Sequence, residues 1–205
     1  MLRSYAESLG TAGPIILILL LLSLLSLGLI VAKTMQLWSC RSGKELRELA
    51  LDQWRDGEHA AAVATLRAGK SPADRVAAFA AQGLVDGIER QDLEGELTRR
   101  GNEELDEMNR HIRLLELVAM ISPLLGLLGT VLGMIQSFQE LELAQGAANA
   151  SLLAGGIWQA LLTTAAGLVV AIPAAIGATL LSARIEGAGQ MIESAAGRML
   201  MSKSR

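Results

Sequence analysis

Charge is missing from three long stretches of the chain, and a charged region lies between the first two. No Lys, Arg, Asp or Glu occurs between Glu7 and Lys33, between Glu116 and Glu140, or between Glu142 and Arg184. A helix needs about 20 apolar residues to cross the hydrocarbon core of a bilayer. The first stretch, a Leu/Ile run, predicts a spanning helix over 14–35, and the second predicts one over 117–138. The third stretch exceeds one crossing. Its early part, AQGAANASLLAGG, is too polar and Gly-rich for lipid, so the third span is placed at 157–182. The runs are continuous rather than alternating, which favours helices over a barrel. The remaining segments are 1–13, 36–116, a short loop at 139–156 and a tail at 183–205. The predicted fold class is all-α: a polytopic membrane protein with three transmembrane helices, the second and third extended or pore-forming, plus a cytoplasmic helical bundle.

Between Cys40 and Glu116 the pattern is that of short amphipathic helices. Leu46, Leu49, Ala50 and Trp54 recur at helical spacing, and Asp56-Gly57 reads as a break. A small Ala-rich helix over 60–68 ends at Gly69. Ser71-Pro72 then signals a helix start, with a hydroxyl available to cap and proline at the first helical position. Val76, Phe79, Ala80 and Leu84 follow on one face. From Asp92 onward, Leu93, Leu97, Leu105, Met108, Ile112 and Leu115 return every three or four positions, and no proline intervenes before Pro123. This predicts one helix rising into the second span, bent near Gly101 and Pro123.

Composition sharpens the picture by exclusion. The 205 residues are 51% apolar and 19% charged, with a mean hydropathy of +0.39, which rules out disorder and a plain soluble fold. The net charge of −3 lacks the basic footprint that nucleic acid demands. One cysteine, Cys40, and two distant histidines, His59 and His111, argue against a disulfide within the chain and against a metal site. Cys40 reads as an ordinary reduced thiol ahead of a lipidation site. His111, between Arg110 and Arg113, reads as solvated or at headgroup level. The first run has Arg3 ahead of it, as a signal peptide would, but it is long and meets Lys33 without a small-residue cleavage motif, so a retained helix is expected.

Charge also gives an orientation. The segment 33–116 holds 13 Lys/Arg and the tail holds four, whereas the N-terminus has only Arg3 and the 139–156 loop has none. Positive charge marks the cytoplasmic side, so the N-terminus and the short loop are expected outside and the C-terminus inside.

The second and third spans are rich in small residues. Ser122, Gly126 and Thr130 repeat every fourth position, as do Gly129, Gly133 and Ser137. In the third span Thr163, Gly167, Ala171, Ala175, Thr179 and Ala183 form a similar stripe. Such spacing lets helix backbones approach closely in lipid. The hydroxyls of Thr130, Thr163 and Thr164 either bond back to their own helices or line a polar surface; composition alone favours the former. No Asp, Glu, Lys, Arg or His lies inside a span, so a proton relay would need an acid from another polypeptide.

The runs SPLLGLLGTVLGMIQSF (122–138) and GGIWQALLTTAAGLVVAIPAAI (155–176) resemble the second- and third-helix signatures of the ExbB/TolQ/MotA proton-channel family, closest to its ExbB and TolQ branches. The resemblance implies a ring-forming oligomer, a homo-pentamer enclosing two copies of an ExbD/TolR-like single-span protein whose intramembrane Asp carries protons. It implies an inner-membrane location and a TonB- or TolA-like protein that receives the work. Thr130 and Thr164 match family threonines near that Asp, which makes them pore-lining and leaves Thr163 structural. Pro123 and Pro173 match the family's prolines. Gly126, Gly129, Gly133, Thr163, Gly167, Ala171 and Ala175, with the two prolines, are expected to set helix packing and pore shape. Gln159 stands where many ExbB and TolQ proteins carry Glu; an amide can hydrogen-bond but cannot titrate, so the resemblance implies that the chain either does without a relay member there or uses Gln159, as a pore-lining residue, to order water at the outer mouth. No cofactor, metal or nucleic acid is implied; protons are the transported ion, and lipid, including a bound phospholipid, is the remaining contact.

Three function classes follow: an energy-transducing channel subunit of the TonB-dependent or TolQ type, a non-conducting membrane scaffold, and a transporter or enzyme. Without inverted repeats, charged midplane residues or a catalytic constellation, the last is disfavoured, and no enzyme is expected.

Overall fold

The computed structural model of the chain describes residues 13–143 and 150–202. Seven helices and no strand occur among them: α1 (Gly13–Gln36), α2 (Lys44–Arg55), α3 (His59–Arg67), α4 (Pro72–Val85), α5 (Arg90–Asn109), α6 (Ile112–Leu143) and α7 (Ala150–Ser202). By length and composition α1, α6 and α7 each carry a segment able to cross a membrane. The outward segment expected ahead of Gly13, residues 144–149 of the expected loop, and 203–205 of the tail lie outside the described residues.

The chain divides into two compact units. One comprises α1 up to Val31 together with His111–Thr179, and the other comprises Ala32–Arg110 with Leu180–Arg205. In the first unit Ile15 and Leu19 of α1 pack with Val118 of α6 and with Val170 and Ala174 of α7. The outer faces of these helices stay apolar and exposed, as at Leu20, Leu24, Leu124, Val169 and Ile172. In water that surface would be prohibitive; in lipid it is the solvated face.

The second unit is built on short helices whose ends are specified locally. Ser71 caps α4: its hydroxyl accepts from Asp74 N at 3.2 Å, while Asp74 Oδ2 accepts from Ser71 N at 3.0 Å, a reciprocal capping box with Pro72 at the first position. Asp74 is fully buried and is paired with Arg47 Nη1 at 2.5 Å. The same nitrogen donates to Ser71 Oγ at 2.9 Å and to Ser42 O at 3.0 Å. Gly43, at φ +84°, leaves room for this carboxylate: a Cβ there would stand 2.5 Å from Asp74 Oδ2. Trp54, Leu66, Val76, Leu93 and Leu97 fill the interior, together with Ile192 and Met199 of α7.

Three features depart from the sequence pattern. The helix expected to run unbroken from Asp92 into the second span is interrupted at Arg110–His111, where His111 adopts φ +72°. This left-handed conformation costs a non-glycine residue about 1–2 kcal/mol, and Gly101 lies within unbroken helix. Residues 183–202, read as a tail, continue α7 as helix, and α6 extends to Leu143. On α2 the buried face is Arg47, Ala50, Leu51 and Trp54, while Leu49 is exposed. The buried ion pair rotates this face away from the one that the leucines mark.

Candidate functional site

The antiparallel contact of α6 and α7 is drawn together by glycine. A Cβ on Gly126 would lie 2.8 Å from Thr163 O and 3.0 Å from Thr164 Cα, and one on Gly167 would lie 2.6 Å from Ser122 O. Further along, Gly129 faces the Thr163 side chain and Gly133 faces Ala160, whose Cβ would be 3.0 Å away. The α6 seam is therefore Ser122, Gly126, Gly129, Gly133 and Ser137, drawn from both small-residue stripes. The backbones approach because α6 places nothing larger than a hydroxymethyl between them.

On α7 the stripe turns out of the contact. Thr163, Gly167 and Ala171 are buried, but Ala175, Thr179 and Ala183 are exposed. Every-fourth spacing advances by about 40° per step on a helix of 3.6 residues per turn, so a long stripe cannot stay on one face. The buried line instead steps by three and four, through Ala160, Thr163, Gly167, Val170, Ala174 and Ala178. Pro173 is exposed on α7 and Pro123 is half-buried inside α6.

The hydroxyls divide by depth. Thr163, with no exposed surface, donates to Ala160 O at 2.7 Å and also reaches Gly126 O at 3.1 Å. Thr164 is half-buried and donates across the seam to Gly126 O at 3.2 Å. Thr130, one turn beyond Gly126 on α6, is half-exposed and donates to Leu127 O at 2.6 Å. The Gly126 carbonyl thus gathers Thr163 and Thr164 of α7, and Thr130 lies four residues along the same helix as Gly126. Gln159 is half-buried on α7 beside the exposed Trp158. Among the described residues no group of acids, histidines or cysteines could hold a metal ion.

Outside the spans, burial pushes the Cys40 thiol up, against the opposing pull of Arg184 and Arg41. With 4% exposure it is poorly placed for lipidation. Arg198 on α7 binds Glu48 on α2 through both carboxylate oxygens, at 2.9 and 3.1 Å, and holds that carboxyl below its usual range. Arg75 is likewise bound by Glu104. Two residues take structural roles that the sequence pattern does not assign to them. Asp74 was legible, standing three residues after the capping Ser71. The buried Lys33, which donates to the end of α5, carried no local signal.

Three lipid-length helices, two of them zipped by small residues and carrying hydroxyls but no charge along their apolar segments, define a polytopic helical membrane protein. The sequence matches the MotA/TolQ/ExbB proton channel family over residues 68–194, and the chain belongs to that family. It is 50% identical over 80 residues to biopolymer transport protein exbB1 of Vibrio cholerae, which is 39% of this chain and 35% of that protein. It is 37% identical over 98 residues to biopolymer transport protein ExbB of Salmonella typhimurium, 48% of this chain and 40% of that protein. The Tol-Pal system protein TolQ of Haemophilus influenzae is 38% identical over 89 residues, 43% of this chain and 39% of that protein. The matched stretches thus span 35–40% of the length of these relatives.

Proposed function

We propose that this chain is an ExbB-like subunit of an inner-membrane proton channel that converts proton motive force into mechanical work on a TonB-type protein. In this reading five copies form a ring, the N-terminus lies outside and the C-terminus inside. The pore holds the single helices of two ExbD-like partners, each carrying an intramembrane Asp. The observation that carries it is the family match across residues 68–194, which takes in the α6–α7 seam, with 50% identity to a biopolymer transport protein over 80 residues.

Neutral walls desolvate a guest carboxylate and raise its pKa, while hydroxyls at Thr130 and Thr164 offer the ionised form compensating hydrogen bonds. Both threonines can turn outward from the carbonyls they bind, since neither is sealed in the seam. Protonation and deprotonation then alternate between two placements of the guest helix, and an odd ring around a pair makes the steps rotational. The electrical driving force is about 2.3 kcal/mol per charge per 100 mV.

The test is Thr130→Val and Thr164→Val in cells whose uptake depends on this system. Normal assembly with abolished proton-dependent uptake is expected; full activity in both variants removes these residues from the mechanism. A TolQ-type role, energising a TolA-like protein for envelope integrity, is the second reading, supported by the 38% identity to TolQ. Deletion separates them, giving an uptake defect for the first and detergent sensitivity with a division defect for the second.

A further inference from the structure

The break between α5 and α6 has no local cause: neither Arg110 nor His111 is a glycine or proline, and the apolar periodicity runs through it. What replaces the helix there is an ammonium. The amide of Arg110 still donates to Asp106 O at 3.0 Å in the helical pattern. In a continuous helix the next two carbonyls, Glu107 and Met108, would accept from the amides of His111 and Ile112. Instead both accept from Lys33 Nζ, at 3.3 and 3.1 Å. Lys33 is 4% exposed and stands 74 and 75 residues away in sequence. Its cation also suits the negative end of α5. The strain of His111 at φ +72° is the opposing weight, since straightening the chain would relieve it.

We infer that Arg110–His111 is a two-state joint, held broken by Lys33 and free to close into one continuous α5–α6 helix when the Lys33 ammonium withdraws from Glu107 and Met108. The two states exchange one pair of donors for another at the same two acceptors, so neither leaves a buried carbonyl unsatisfied.

The test is hydrogen–deuterium exchange on the full-length protein in lipid nanodiscs, read as protection of the His111 and Ile112 amides. Lys33→Met keeps the aliphatic stem and removes the cation. It is expected to slow exchange at these two amides about tenfold as they gain helical acceptors. His111→Val, with Lys33 intact, penalises the left-handed state and is expected to slow it as well, so the inference stands on a second variant should Lys33→Met fail to fold. The double variant Lys33→Met/His111→Gly is expected to return towards fast exchange, because glycine adopts positive φ freely. Unchanged or faster exchange in both Lys33→Met and His111→Val would overturn the joint. The readout involves no transport, so the joint and the proposed function stand or fall separately.

Discussion

Among single residues, Asp74 carries a structural role and Gln159 a proposed functional one. Asp74 answers three polar groups at once, its own helix cap at Ser71, that residue's hydroxyl and Arg47. Asp74→Ala would strand the Arg47 guanidinium in a buried site, and breaking such a pair costs about 3–5 kcal/mol. Chemical denaturation of the detergent-solubilised protein is expected to show a loss of that order. Gly43→Ala is expected to lose stability too, through positive φ and collision with the same carboxylate. The cap was readable because Ser, Pro and Asp are neighbours in sequence. The ion pair was not, because its partner stands 27 residues away. Gln159 is half-buried on α7. If this position borders the outer mouth, Gln159→Glu adds a titratable group and is expected to alter the pH dependence or rate of proton-driven output. Indifference in a pH–activity profile would make the position helix packing alone.

At the level of helices, the seam between α6 and α7 is governed by what is missing from it. Gly126→Leu would drive a side chain into the backbone of Thr163 and Thr164, and such overpacking costs about 1–3 kcal/mol. A cysteine pair at positions 133 and 160, in a protein whose Cys40 is replaced by Ser, reports on the seam directly, since a Cβ at Gly133 would lie 3.0 Å from Ala160 Cβ. Oxidation is expected to link the pair within one chain, and Gly126→Leu is expected to suppress the link. The tether of α7 to α2 is weaker, because Glu48 and Arg198 are both exposed and salt screens them. Arg198 depresses the Glu48 pKa, so any contribution to stability is present above the ordinary carboxylate range. It is lost as pH falls through the depressed value. Spans and small-residue content were legible because a bilayer dictates length and polarity. The seam's rotation was not, because a strict every-fourth stripe drifts round the helix and burial follows alternating steps of three and four. The joint at His111 was least legible, since its cause is the amine of Lys33 on another helix.

For the molecule as a whole, the decisive property is electrical neutrality through three apolar stretches. A proton cannot cross on carbonyls and hydroxyls that hold no titratable group, because the ion would meet the membrane interior without a partner to neutralise it. Water alone could carry protons through a wet pore, but the exposed apolar faces of α6 and α7, at Leu127, Val131 and Ile172 among others, give a hydrated column little to bind. The purified chain reconstituted in vesicles is therefore expected to be silent to an imposed proton gradient, as read by an internal pH dye. Adding a single-span helix that carries one mid-membrane Asp is expected to open a proton current, and Asp→Asn in that helix is expected to close it again. A current from this chain alone would come from an acid in its own sequence or from a hydrated pore, and either would remove the need for a guest. Silence with every Asp-bearing partner offered would instead favour the non-conducting scaffold, with the small-residue seam of α6 and α7 serving assembly alone.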